Sequence, residues 1–129
     1  MIKVVAAIIT ADDKVLLSKR PKSKHQGNKW EFPGGKVDSG ETFVEALMRE
    51  CKEELGISIQ EPLLFDSIKH HYTDKSVELH FYSVRSFDGS PRGMEGQEVQ
   101  WFSILEIERL EFPEANKAIV TKLLNEFIN

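Results

Sequence analysis

Gly35-Lys-Val-Asp-Ser-Gly-Glu41, then seven residues, then Arg49-Glu50-Cys51-Lys52-Glu53-Glu54-Leu55-Gly56-Ile57 is the stretch on which the reading of this chain turns. It sets an arginine and three glutamates on one helical segment, directly after a glycine-rich loop. Glu50 and Glu54 are four apart and share a helix face, as do Arg49 and Glu53. Like charges at that spacing repel, so this helix needs a compensating cation. Arg49 is one candidate, and a bound magnesium ion, which takes carboxylate and phosphate oxygens, is the other. Glu41, just before the helix, is placed to pair with Arg49. The apolar residues Phe43, Ala46, Leu47, Cys51 and Leu55 predict a helix over Thr42–Leu55 with one buried face. Gly56 then stops it in a left-handed conformation. Cys51 lies on that apolar face and reads as a small buried hydrophobe, not a nucleophile. The competing reading is a solvated acidic surface helix. It is disfavoured because charge spacing and glycine spacing agree independently.

Outward from this segment, residues 2–10 are rich in Val and Ile and read as a buried strand, not as a signal peptide. Ala11-Asp12-Asp13 is a turn into a second strand, Lys14–Lys19, which makes a hairpin. Residues 21–29 are basic and polar and predict a mobile surface loop. Trp30-Glu31-Phe32 is a short apolar segment that Pro33-Gly34-Gly35 ends in a tight turn. Residues 57–70 hold one or two strands, Val77–Val84 another, and Val99–Phe102 a short one, with a turn at Asp88-Gly-Ser-Pro91. After Pro113 a final helix is expected over Glu114–Phe127, with Ala118, Ile119, Leu123, Leu124 and Phe127 on one face. Strands and helices mix without regular alternation. The fold class is therefore α/β, a mixed sheet between helices, in a single domain over residues 1–129.

The 129 residues carry 17 Lys and Arg against 21 Asp and Glu, a net charge of −4. That balance argues against nonspecific nucleic-acid binding, which needs a basic stripe. It also means that a polyanionic substrate would be repelled by an acidic pocket unless metal ions intervene. A lone cysteine excludes an intramolecular disulfide and fits a reducing compartment, so the expected location is the cytoplasm. No apolar run approaches the roughly 20 residues of a membrane span. The four histidines show no spacing suited to a zinc site. Trp30 and Trp101 read as packing residues.

The pattern Gly-(five residues)-Glu-(seven residues)-Arg-Glu-U-x-Glu-Glu-x-Gly-U, with U a bulky aliphatic residue, is the Nudix box. Every charged and glycine position matches, with Cys51 at the first U as the one soft departure. The chain thus resembles the Nudix hydrolases, which cleave nucleoside diphosphates linked to another group, and the resemblance implies the Nudix fold. It implies that Glu50 and Glu54 are metal ligands assisted by Glu53, that Arg49 orients the carboxylates, and that Gly34 offers a backbone carbonyl. The expected cofactor is Mg2+, with Mn2+ an alternative because both take oxygen ligands.

Trp30-Glu-Phe-Pro-Gly-Gly-Lys36, Met94-Glu-Gly-Gln97, Trp101-Phe-Ser103 and Phe112-Pro-Glu-Ala-Asn116 are similar to segments of the MutT type of this family. That type hydrolyses 8-oxo-dGTP to the monophosphate and pyrophosphate and so cleans the nucleotide pool. The likeness covers nearly the whole chain. By it Asn116 reads the base, Phe32 packs on it, Arg20 contacts its edge, Lys36 adds charge near the phosphates, and Glu95 is a further metal ligand or base. Locally, Asn116 also suits a helix cap, Phe32 a core aromatic, Arg20 a solvated strand end, and Glu95 a solvated loop acid. Two rivals remain. One is a pyrophosphohydrolase for a pyrimidine nucleotide such as CTP. The other is a noncatalytic Nudix-like module, disfavoured because Arg49, Glu50, Glu53 and Glu54 are all present. The expected partner is a small nucleotide, and size and MutT likeness point to a monomer.

Overall fold

The computed structural model describes residues 1–20 and 28–128. Among these residues the strands are β1 (Ile2–Ala11), β2 (Lys14–Lys19), β3 (Trp30–Glu31), β4 (Gly34–Lys36), β5 (Ser58–Gln60), β6 (Leu63–His71), β7 (Ser76–Val84), β8 (Ser86–Asp88) and β9 (Val99–Ser103). The helices are α1 (Phe43–Leu55) and α2 (Lys117–Ile128), with 3-10 turns at Ile104–Arg109 and Glu114–Asn116. The main sheet runs β3-β2-β1-β7-β6, with β4 also on β1 and β9 also on β2. β1 and β7 are parallel from Ile2↔Val77 to Ile9↔Val84, whereas the other pairs are antiparallel. The sheet is therefore mixed, as expected.

Successive side chains on a strand point to opposite faces, so β1, buried on both faces, feeds two cores. Val5, Ala7 and Ile9 face one core with Ala46, Leu47, Cys51 and Leu55 of α1. Ala6 and Ile8 face the other, with Phe81, Phe112, Ile119 and Leu123. The helices thus cover opposite faces of one sheet. Thr42 and Glu45 close a capping box at the start of α1. Gly56 ends it at φ 71°, its N–H donating to the Lys52 carbonyl at 3.0 Å. Trp30 packs edge-on against Phe102 and Trp101 stacks on Phe87, so both tryptophans are packing residues.

The structure corrects several local expectations. Pro33-Gly34-Gly35 is not a tight turn. Gly34–Lys36 is a strand on β1, with Gly34 opposite Ala6. Ser86–Asp88 is a short strand on β5 where only the turn after it is legible. Glu114–Asn116 is a 3-10 turn, and the α-helix begins at Lys117. Ala118 and Phe127 face solvent, and Ala115 and Val120 are buried instead. Of the basic loop expected over 21–29, residues 21–27 lie outside the described residues. Among the described residues no helix is long and apolar enough to cross a membrane.

Candidate active site

Arg49 organises the acidic end of the site. Its Nε and Nη2 donate to the Glu41 carboxylate at 2.8 and 3.0 Å, and Nη2 also donates to the Lys36 carbonyl at 3.1 Å. Its Nη1 donates to Glu50 at 2.7 Å and to Glu53 at 3.2 Å. The planar guanidinium fork thereby ties the loop before α1 to the acidic face of the helix. The Glu41 carboxyl is held down at about 2, chiefly by that hydrogen bond from Arg49. The Glu41 and Glu50 carboxylates in turn raise the Arg49 pKa.

Two glycines let the backbone come close to this face. A Cβ on Gly34 would strike the Val5 carbonyl of β1, and one on Gly35 would strike the Glu50 carboxylate. No other residue type fits either place without a shift. β4 therefore pairs closely with β1, and the Glu50 side chain of α1 rests against its Gly35 backbone.

Glu54 is the electrostatic anomaly. Its Oε2 is buried with no hydrogen-bond partner among the described residues. Burial raises its pKa most, followed by the neighbouring Glu50 carboxyl and then by the charges of Glu31 and Glu95. An unpaired buried carboxylate is costly, and a hard divalent cation removes that cost while taking oxygen ligands. The donor set of Glu50, Glu54 and Glu95 suits such a cation. Among the described residues, however, no three acidic, His or Cys side chains already converge as a cage. Glu50 and Glu53 are turned onto Arg49 instead. Cys51, buried behind them, has its thiol pushed up to about 12, mainly by desolvation. It is therefore no nucleophile at neutral pH.

These groups open into a cavity of about 680 Å³, within the range of small-molecule sites. Arg20, Phe32, Gly34, Lys36, Glu50, Glu54, Glu95 and Asn116 all line it. Arg49 and Glu53 do not. Glu53 is half exposed and, among the described residues, reaches the site through Arg49. Phe32 is 3% exposed, stacked on Phe112 and edge-on to Phe81, so most of its ring belongs to the core. Arg20 pairs with Glu31 at 2.6 Å. Asn116 is 8% exposed, and its side chain makes no capping hydrogen bond to a described residue. The cavity wall also holds Ser18, Glu31, Tyr72, Lys75 and Gln97. Sequence reasoning did not single these out. Tyr72 and Lys75 come from the β6–β7 connection, which has no local signature. Glu31 and Gln97 sit inside the segments similar to MutT, beside the residues to which that likeness assigns roles. Four acids (Glu31, Glu50, Glu54, Glu95) and four bases (Lys19, Arg20, Lys36, Lys75) share the lining. The bases suit a polyphosphate and the acids suit the cations that would accompany it.

Residues 4–122 match the NUDIX domain family. The chain belongs to the Nudix family. It is 36% identical to the 8-oxo-dGTP diphosphatase of Escherichia coli K12 over 119 residues, 92% of each chain. It is 40% identical to the CTP pyrophosphohydrolase of the same organism over 113 residues, 88% of this chain and 82% of that one. A solved MutT structure, from a comparison of Aliivibrio salmonicida with Vibrio cholerae, superposes at a TM-score of 0.86 and 36% identity. That match covers 97% of this chain and 98% of the other. The Nudix fold expected from the box and the MutT-type affiliation expected from the other segments are both borne out.

Proposed function

We propose that this Nudix hydrolase is a nucleoside triphosphate pyrophosphohydrolase that acts on 8-oxo-dGTP, yielding 8-oxo-dGMP and pyrophosphate. The observation that carries the substrate reading is Asn116, a buried amide in the wall of the cavity that Glu50 and Glu54 also line. Guanine presents acceptors at N7 and O6, and oxidation at C8 places a proton on N7. An asparagine amide has one accepting and one donating side. It accepts from N7–H while donating to O6, whereas ordinary guanine turns a lone pair toward its oxygen. A bidentate contact of this kind discriminates by about 1–3 kcal/mol. Leaving a buried polar group unpaired with the wrong base adds to that.

Glu50, Glu54 and Glu95, with the Gly34 backbone, would hold Mg2+, or Mn2+ in its place. Bound there, the metal neutralises phosphate charge and makes the attacking water more acidic. Glu50 or Glu95 takes the proton from that water as its oxygen attacks the β-phosphorus. The bond from that phosphorus to the α–β bridging oxygen breaks, and the monophosphate leaves. Arg49 holds Glu50 in place, with Glu53 on its outer side, and Lys36 and Arg20 supply positive charge to the nucleotide. Phe32 offers an apolar edge to the base. The chain works as one domain and as a monomer, in the cytoplasm where the nucleotide pool is made.

The 40% identity to a CTP pyrophosphohydrolase supports a second reading, a pyrimidine nucleotide on the same machinery. Asn116→Ala separates the two. Under the first reading the variant loses its preference for 8-oxo-dGTP over dGTP in kcat/KM while slow general hydrolysis persists. Unchanged selectivity would remove Asn116 from base reading.

A further inference from the structure

Between β8 and β9 the chain crosses the C-terminal end of α1, where the last helical carbonyls have no partner within the helix. The loop supplies them. Arg92 N–H donates to the Leu55 carbonyl at 3.1 Å and Met94 N–H to the Glu54 carbonyl at 2.9 Å. Gln97 adds a bond of a different kind. Its side-chain Nε2 donates to the same Glu54 carbonyl at 3.0 Å, while its Oε1 accepts from the Glu95 N–H at 3.0 Å. One carboxamide therefore spans the backbones of Glu54 and Glu95, the two residues whose side chains enter the cavity from different elements. A tight turn closed by Gly96 N–H to the Gly93 carbonyl, with Gly96 at φ 81°, brings Gln97 back to make this bridge.

We infer that Gln97 is a positioning residue that sets the Glu95 carboxylate against the Glu54 carboxylate. The inference rests on the role proposed above for Glu95. Glu95 is carried by a loop, and its reach into the cavity depends on what fixes that loop. The Met94 bond fixes the loop to α1 one residue earlier, but the Glu95 N–H itself is held only by Gln97 among the described residues. An amide is needed because the two partners differ in kind, a carbonyl that accepts and an N–H that donates. Neither glutamate nor an apolar residue satisfies both.

The test is a kinetic cycle of Gln97→Ala and Glu95→Gln on the whole protein with Mg2+. Gln97→Met, which keeps the length without the polar ends, is read in the same way should the alanine variant not fold. Misplacing a catalytic group by about an ångström costs on the order of a hundredfold. Gln97→Ala is therefore expected to lower kcat by about tenfold or more, with KM changed less than about threefold. In the Glu95→Gln background the same change is expected to lower kcat by less than about twofold, because the group it positions is already gone. Equal factors in both backgrounds, or an undiminished kcat in Gln97→Ala alone, would overturn the positioning role. Full kcat in Glu95→Gln alone would instead overturn the role given to Glu95, and this inference with it.

Discussion

At the scale of single residues, the site is a problem of negative charge solved in two ways. Arg49 answers the exposed side, bonding Glu41, Glu50 and Glu53 together. Among the described residues nothing answers the buried side, where the Glu54 carboxyl keeps an unpartnered oxygen. Glu50 joins the two, bonded to Arg49 and set against Gly35 and Glu54. Glu50→Gln is therefore expected to lower kcat by about a hundredfold or more while nucleotide binding changes little. Steady-state kinetics with a binding titration check this, and near-normal turnover would take Glu50 out of the mechanism. Glu41 gives a pH dependence whose sign follows from its depressed pKa. The folded value is about 2 against an ordinary 4.5. Its contribution to stability is thus full above the ordinary value and lost as pH falls toward the folded one. The difference in urea midpoint between the wild type and Glu41→Gln should be largest at neutral pH and fade toward about pH 2. A difference that grows with acidity would contradict the Arg49–Glu41 pairing.

At the scale of elements, α1 shows how far local sequence reaches. Its apolar face, its start to within one residue of Thr42, its stop at Gly56 and the Arg49–Glu41 pairing were all legible, because each depends on spacing within the helix or just before it. Thr42→Ala removes the capping box and is expected to cost about 1 kcal/mol of stability with kcat unchanged, read by denaturant unfolding. What was not legible depends on partners distant in sequence. Gly34 and Gly35 look like a turn by composition. They form a strand because they pair with β1, where a Cβ would strike the Val5 carbonyl at Gly34 and push the Glu50 carboxylate aside at Gly35. Gly35→Ala should accordingly leave the fold intact and lower kcat by about tenfold or more, by displacing Glu50. The start of α2 was missed by a turn for a similar reason. Ala115 and Asn116 are buried by the cavity and the core, and local helix spacing does not register that. Of the site itself, the family resemblance brought eight residues to one cavity, whereas Tyr72 and Lys75 emerged only once β6 and β7 were paired.

At the scale of the whole molecule, a mixed sheet between two helices gathers the acidic helix, the glycine strand, the Gln97 loop and the Asn116 turn around one cavity. On the metal role proposed for Glu54, its burial would tie the stability of this assembly to metal. Burial raises its pKa, so the folded state loses stability as pH climbs from the ordinary carboxyl range toward the raised value. Glu54→Gln is expected to raise the melting temperature of the metal-free protein at neutral pH, and to shrink the further rise that Mg2+ produces in the wild type. An unchanged response to Mg2+ would remove Glu54 from the metal site. With Asn116 in the cavity wall, this scaffold is expected to select an oxidised purine nucleotide. The most direct test of that selectivity is a competition among 8-oxo-dGTP, dGTP, dCTP and CTP, all below KM, with purified protein and Mg2+ and the products separated by chromatography. 8-oxo-dGTP is expected to disappear about a hundredfold faster than the others, as a bidentate contact plus an unpaired-group penalty would give, with its monophosphate and pyrophosphate accumulating. Equal rates, or a preference for a pyrimidine nucleotide, would contradict it.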